Sequence, residues 1–205
     1  MFARTERLLL RPGWAEDAPA LAQAMADEMV IRDISNATAP FTEADAASWL
    51  ATWSDQRASR FLMVQRTASS PRLIGAIGLD SDDRDDKHNG SIAELSFWIA
   101  RPFWGLGFAT EAGRHMVELA RTLGHRQIRA AHARNNPASG AVLRKLGFRA
   151  AGQHARHGGS ALARIRYVRD LDCGQQAESP AVSGAMRCCG KWPTEKRDGW
   201  RMHAA

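Results

Sequence analysis

The stretch from Ile92 to Gly113 holds the residues best suited to chemistry. Gly105-Leu106-Gly107 lies between an apolar segment, Ile92 to Ala100, and a helical pattern that puts Phe108, Ala112, His115, Met116 and Leu119 on one stripe. The segment before the glycines is β-branched and aromatic and is bounded by Gly90 and Pro102, which predicts a buried strand. A glycine-bearing turn is therefore expected at a helix N-terminus. The first N–H groups of a helix have no intrahelical acceptor, and the aligned peptide dipoles add positive potential there. Glycines keep side chains clear, so an anion can approach the backbone of Gly105, Leu106, Gly107, Phe108, Ala109 and Thr110. That is chemistry for a phosphate or pyrophosphate. No Gly-Lys-Ser/Thr follows, so the turn is not a P-loop. A dinucleotide fingerprint is disfavoured as well, because Thr110 stands where its third glycine belongs and the next strand carries no ribose-binding acid. On the strand itself, Glu94 shares a face with Ser96 and Trp98. A carboxylate on a buried strand must be paired or have a raised pKa suited to accepting a proton, which makes Glu94 a candidate base. A carboxylate that orients a substrate or bonds a loop is the alternative.

A second block lies downstream, Asn135-Asn136-Pro137-Ala138-Ser139 leading to Val142-Leu143-Arg144-Lys145-Leu146-Gly147-Phe148. Joined with the Trp-Gly-x-Gly-Phe-Ala-Thr-Glu-Ala run from Trp104 to Ala112 and the opening Thr5-Glu6-Arg7-Leu8-Leu9-Leu10-Arg11-Pro12, it resembles the GNAT family of acyl-CoA-dependent N-acetyltransferases. Within that family it is similar to the RimJ/RimL-like branch, the ribosomal-protein N-terminal acetyltransferases. The resemblance spans Thr5 to Asp172. It implies an α/β (α+β) fold with a mixed six- to seven-stranded sheet, helices on both faces, and a splay between the fourth and fifth strands. Those strands map to Ile92–Ala100 and Gln127–Ala133. Acetyl-CoA is the implied cosubstrate, lying in the splay, with no metal. The resemblance places the thioester carbonyl and pantetheine amides near the backbone of Phe97, Trp98 and Ile99, and the pyrophosphate on Gly105 to Thr110. Asn136 would bond the pantetheine arm or cap the following helix. Many members carry a tyrosine that protonates the departing thiolate; Leu143 stands at that position here and the only tyrosine is Tyr167. In the similar branch a serine steadies the thiolate, which gives Ser139 that role, against the alternative of a helix-surface hydroxyl bonding locally. Glu94 would act as base directly or through water. Glu111 is expected to be structural and to face away from the phosphates. The family's phosphate signature opens with a polar residue where this chain has Pro102, so phosphate binding is expected to rest on backbone groups.

The remaining elements must position these residues. A strand is expected over Arg4 to Arg11, a helix over Trp14 to Glu28, and a helix over Thr42 to Gln56 with Thr42 as its cap. Strands follow over Arg60–Thr67 and Arg72–Leu79, then an acidic loop to Asn89. A helix over Asn136 to Leu146 ends at Gly147, and strands over Arg149–His154 and Leu162–Leu171 close the sheet. Residues 1–172 then form the acetyltransferase domain. Residues 173–205, rich in Gly, Ser, Pro and Gln without apolar periodicity, are expected to be a disordered extension.

Composition sets the outer limits. A hydrophobic fraction of 44% and a charged fraction of 24% are ordinary for a globular domain. Cys173, Cys188 and Cys189 form neither a paired framework nor a zinc spacing, and no signal-peptide layout opens the chain, so the expected location is the cytoplasm. No apolar run approaches membrane-spanning length. The net charge of +6 is scattered rather than massed, which disfavours nucleic acid and suits CoA or an acidic acceptor. The expected partners are acetyl-CoA and an amine, as a monomer or homodimer. A free α-amine titrates near ~8 and a lysine near ~10.4, so an α-amine asks less of a modest base. A protein or peptide N-terminus is therefore the favoured acceptor, with a small-molecule amine such as an antibiotic or polyamine, or a non-catalytic acyl-CoA-binding regulator, as alternatives. Acceptor choice is expected to lie in Met29–Phe41 and His154–Ser160, with Arg32, His154, Arg156 and His157 at the entrance.

Overall fold

The computed structural model describes residues 2–31, 34, 40–54, 58–67, 70–82, 92–154 and 164–171. In chain order the elements are β1 (Ala3–Arg4), β2 (Leu8–Arg11), α1 (Ala18–Ala24), α2 (Glu28–Ile31), α3 (Glu43–Ala51), β3 (Ala58–Gln65), β4 (Arg72–Asp82), β5 (Ile92–Ile99), α4 (Phe108–Thr122), β6 (Gln127–Ala133), α5 (Pro137–Lys145), β7 (Arg149–His154) and β8 (Arg164–Asp170). The strands make one 8-stranded mixed sheet in the order β1-β2-β3-β4-β5-β6-β8-β7. All pairings are antiparallel except β5 with β6.

The sheet thus has more strands than the six or seven expected, because the stretch Arg4 to Arg11 is a hairpin and not one strand. Thr5 N–H donates to the Leu8 carbonyl at 2.9 Å, and Leu8 N–H donates to Thr5 Oγ1 at 3.0 Å, closing a turn that pairs Ala3 with Leu10. The first helix also starts later than Trp14. Pro19 cannot occupy a helix interior, so the α-helix begins at Ala18 with proline in its first turn, after a 3-10 turn over Ala15–Asp17. Thr42 caps α3 as expected, accepting from Asp45 N–H at 3.2 Å, while the Asp45 carboxylate accepts from Thr42 N–H at 2.9 Å. The expected helix to Gln56 stops as α-helix at Ala51 and turns 3-10 over Thr52–Ser54, and Gln56 lies outside the described residues. The acidic loop starts later than Asp80, since β4 carries the chain to Asp82. The expected C-terminal signals hold: Gly124 and Gly147 follow α4 and α5 at φ of 80° and 79°, a region that favours glycine. The extension after Asp172 and most of the two segments assigned to acceptor choice lie outside the described residues.

Apolar side chains alternate between two layers. Ala93, Leu95, Phe97 and Ile99 of β5 join Phe108, Ala112 and Met116 of α4 and Leu143 of α5 in one core. Trp98 and Ala100 join Leu21 of α1, Met25 just after it, and Trp49 and Leu50 of α3 in the other. No helix among the described residues is long and apolar enough to cross a membrane.

The N-terminal hairpin is tied to α4 through one carboxylate. Glu111 accepts from Thr5 Oγ1 at 2.6 Å, from Arg7 N–H at 2.8 Å and from Arg7 Nε at 2.7 Å. Partial burial pushes its pKa up, but the Thr5 and Arg7 hydrogen bonds and the Arg7 charge outweigh that and hold it below the ordinary value of 4.5. A depressed folded pKa means this carboxylate stabilises the fold above that ordinary value, and the contribution fades as pH falls through the lower folded value. In parallel denaturation series, the advantage of wild type over Glu111→Gln should shrink as pH drops below 4.5. A pH-independent difference would show that the ionised carboxylate is not what matters. A second expectation concerns the seam of β4 and β5. A Cβ on Gly75 would come within 2.2 Å of the Trp98 carbonyl oxygen, a backbone atom with little room to move. Gly75→Ala should cost about 3 kcal/mol in urea unfolding, as overpacking does where neighbours cannot yield.

Candidate active site

Strands β5 and β6 are paired only at Ile92 with Gln127, Ala93 with Ile128 and Glu94 with Arg129. Beyond Glu94 they part. β5 remains registered with β4 up to Ile99 opposite Gly75, and β6 remains registered with β8 up to Ala133 opposite Arg164. The stretch of β5 that carries Phe97, Trp98 and Ile99 therefore borders a gap with no neighbouring strand on that side, while the Trp98 carbonyl lies against Gly75 of β4. This is the splay expected between Ile92–Ala100 and Gln127–Ala133. Glu94, half-buried, sits at its closed end.

The end of β5 leads directly into the glycine turn. Trp104 Nε1 donates to the Ile99 carbonyl at 2.6 Å and fixes the strand to the turn. Gly105 and Gly107 adopt φ of 74° and 83°, and Gly107 is the N-cap of α4. With no side-chain cap hydrogen bond, the first amides of α4, from Phe108, Ala109 and Thr110, keep their capacity to bind an anion. Leu106 projects its side chain to solvent while its carbonyl accepts from Arg7 NH1 at 2.9 Å. Glu111, in the same first turn, is directed to Thr5 and Arg7, the structural role expected of it.

On the other side of the gap, Asn136 caps α5, its Oδ1 accepting from Ser139 N–H at 3.1 Å. Ser139 is only 1% exposed, and its Oγ makes no hydrogen bond. A surface hydroxyl satisfied by its own helix does not fit those facts. α5 can lie this close to the sheet because residue 140 is glycine: a Cβ there would fall 2.7 Å from His132 Nε2 and 3.3 Å from the Tyr167 hydroxyl. Tyr167 accepts from Arg144 NH1 at 3.2 Å, so Arg144 is tethered to β8, and Leu143 is fully buried in the core.

The alternation of β5 places Glu94, Ser96 and Trp98 on the face covered by α1–α3 and puts Ser139, on α5, at the opposite face. Ser96 Oγ and Trp98 Nε1 are buried without hydrogen-bond partners. A cleft of about 1070 Å³ runs between α1, Pro71–Leu73 and Ala100–Phe103, on the β4 side of β5, so it does not coincide with the gap. Among the described residues no group of three or more His, Cys, Asp or Glu could hold a metal. Of the entrance residues, Arg32, Arg156 and His157 lie outside the described residues, and His154 is placed only by its pairing with Arg164. Thr5, Arg7 and Trp104 have contacts to the turn that sequence reasoning missed. The only available signal was Glu111 itself, an acid beside an anion seat that needed a cation.

Comparison with known proteins agrees with this geometry. The acetyltransferase (GNAT) domain family matches residues 7–149. The uncharacterized N-acetyltransferase p20 of Bacillus licheniformis is 30% identical over 154 residues, which is 72% of this chain and 82% of that protein. Among solved structures, the ribosomal-protein-S5-alanine acetyltransferase of Vibrio fischeri superposes with a TM-score of 0.70 at 18% identity, covering 84% of this chain and 97% of that one. The microcin C7 self-immunity acetyltransferase MccE, solved with acetyl-CoA and AMP, superposes with a TM-score of 0.68 at 15% identity over 81% and 93%. These structural likenesses speak to the fold. With the family matched across most of the sequence and the splayed sheet in place, this chain belongs to the GNAT family and is an acetyl-CoA-dependent N-acetyltransferase.

Proposed function

We propose that the acceptor is an α-amine, that of a protein or peptide N-terminus, and that Glu94 and Ser139 serve opposite ends of the transfer. The observation that carries the reading is Ser139 Oγ, buried and without a partner at the N-terminal turn of α5 beside the gap. A buried hydroxyl left without a bond costs stability, and a ligand that uses the group offsets this. At that place the helix dipole also favours negative charge, so the Oγ–H can donate toward charge developing on a departing sulfur.

The residues of this chain fit acetyl-CoA, which when bound supplies an activated acetyl thioester. The Gly105–Thr110 turn would hold its phosphates, and Asn136 with the β5 edge at Phe97, Trp98 and Ile99 its pantetheine arm. Glu94, on the other face of the sheet at the closed end of the gap, accepts the proton of the incoming amine directly or through water. Base and serine thus address the gap from opposite sides, and orientation supplies much of the rate. The absence of a tyrosine at position 143 leaves modest proton-transfer groups, which suits an amine that titrates near ~8. The ribosomal-protein-S5-alanine acetyltransferase among the structural relatives supports a protein acceptor. A small-molecule amine is the second reading, favoured by the MccE structure, which holds AMP.

Two measurements test this. Thiol release from acetyl-CoA with a panel of peptides and small amines should show turnover with free peptide N-termini and little with N-blocked lysine peptides; turnover with small amines alone would transfer the assignment to the second reading. Ser139→Ala should lower kcat about 10- to 100-fold with a smaller change in KM for acetyl-CoA. Its thermal midpoint should stay level or rise, since no hydrogen bond is lost. An unchanged kcat would remove Ser139 from the mechanism.

A further inference from the structure

We propose that Arg7, on the N-terminal hairpin and distant in sequence from the turn, is a positioning residue for the phosphate-binding turn; the proposal rests on the acetyl-CoA reading above. Its guanidinium packs against Leu106–Phe108. NH1 donates to the Leu106 carbonyl at 2.9 Å, and Nε donates to Glu111 Oε2 at 2.7 Å. The guanidinium carbon stands 4.3 Å from the centre of the Phe108 ring, and NH2 is 3.6 Å from the place a Cβ would take on Gly107. One rigid fork therefore bonds the turn at Leu106, stands beside Gly107, and meets the helix at Phe108 and Glu111.

The physical consequence is a fixed peptide plane. Both glycines of the turn have wide conformational freedom, so the Leu106–Gly107 peptide could rotate and lose its alignment. Holding the Leu106 carbonyl against Arg7 prevents that, and because a trans peptide sets C=O and N–H in opposite directions, the Gly107 N–H is turned away from Arg7. The same contact resolves the place of Glu111. A carboxylate in the first turn of an anion-binding helix would repel phosphate, but here it is neutralised by Arg7 and bonded by Thr5. Pro102 leaves the turn without the polar side chain that the family signature starts with, and Arg7 supplies organisation from another element.

The test compares two acetyl donors. Acetyl-CoA carries the phosphates; S-acetylpantetheine lacks them and needs only the gap. Arg7→Met should raise KM for acetyl-CoA, and the dissociation constant of CoA measured by calorimetry, about tenfold or more, the loss expected for charge-assisted hydrogen bonds. It should leave kcat within about threefold and KM for S-acetylpantetheine within about twofold, because the chemistry and the gap are untouched. Arg7→Lys, measured alongside, can reach Glu111 or Leu106 but not both, and should fall between wild type and Arg7→Met; it carries the comparison if the methionine variant does not fold. Equal weakening for both donors would mark Arg7 as merely structural and overturn the proposal, as would no change for either. Wild-type protein that binds CoA but acetylates no amine would defeat the proposed function and leave the calorimetric test of Arg7 standing. Wild-type protein that binds no CoA would overturn both.

Discussion

The separation of β5 from β6 after Glu94 and Arg129 is the constraint on which the site depends. Two parallel strands that stay paired leave no room for a ligand, and two strands that part expose backbone groups whose loss of partners is costly. The cost is sustained because each strand is held on its other side. β4 keeps β5 through eight registered pairs from Asp82–Ile92 to Gly75–Ile99, and β8 keeps β6 through seven from Gln127 to Ala133. The gap is therefore a built feature of the sheet, and it leaves part of the β5 edge without a neighbouring strand.

Helix ends supply the rest. α4 and α5 pack on the same face and follow β5 and β6, the strands that border the gap, so both N-termini bring positive potential to that end of the sheet. They are prepared differently. α4 begins at a left-handed glycine with no side-chain cap, which leaves its first amides without a side-chain acceptor. α5 begins at Asn136, which uses its Oδ1 to cap Ser139 N–H and leaves the Ser139 hydroxyl without a bond. The hairpin, through Arg7 and Thr5, locks the first arrangement, and the close contact of Gly140 with His132 and Tyr167 locks the second.

Much of this was legible in the residues. The turn at Gly105 and Gly107, the strand before it, the caps at Thr42 and Asn136, and the stops at Gly124 and Gly147 are local features, and local sterics decide them. The misreadings have local causes too: Pro19 delays the first helix, and the Thr5 hydroxyl folds the first strand into a hairpin. What could not be read was any relation between distant parts of the chain. Arg7 and Leu106 are 99 residues apart, and Thr5 and Glu111 are 106. Nothing in their spacing pairs them, because a side-chain contact at that separation exists only once the sheet brings the elements together.

The sequence by itself determined the family, the strand-turn-helix unit and the residue types at the site, since motif, periodicity and turn chemistry are properties of neighbouring residues. It also put Glu94, Ser96 and Trp98 on one face, because strand alternation has a period of two. Only the tertiary structure decided where the pairing of β5 and β6 stops and that Glu94 and Ser139 approach the gap from opposite faces. It likewise left the Ser139 hydroxyl buried without a partner and set Arg7 under the turn. These are consequences of register and packing, which depend on the whole sheet closing at once.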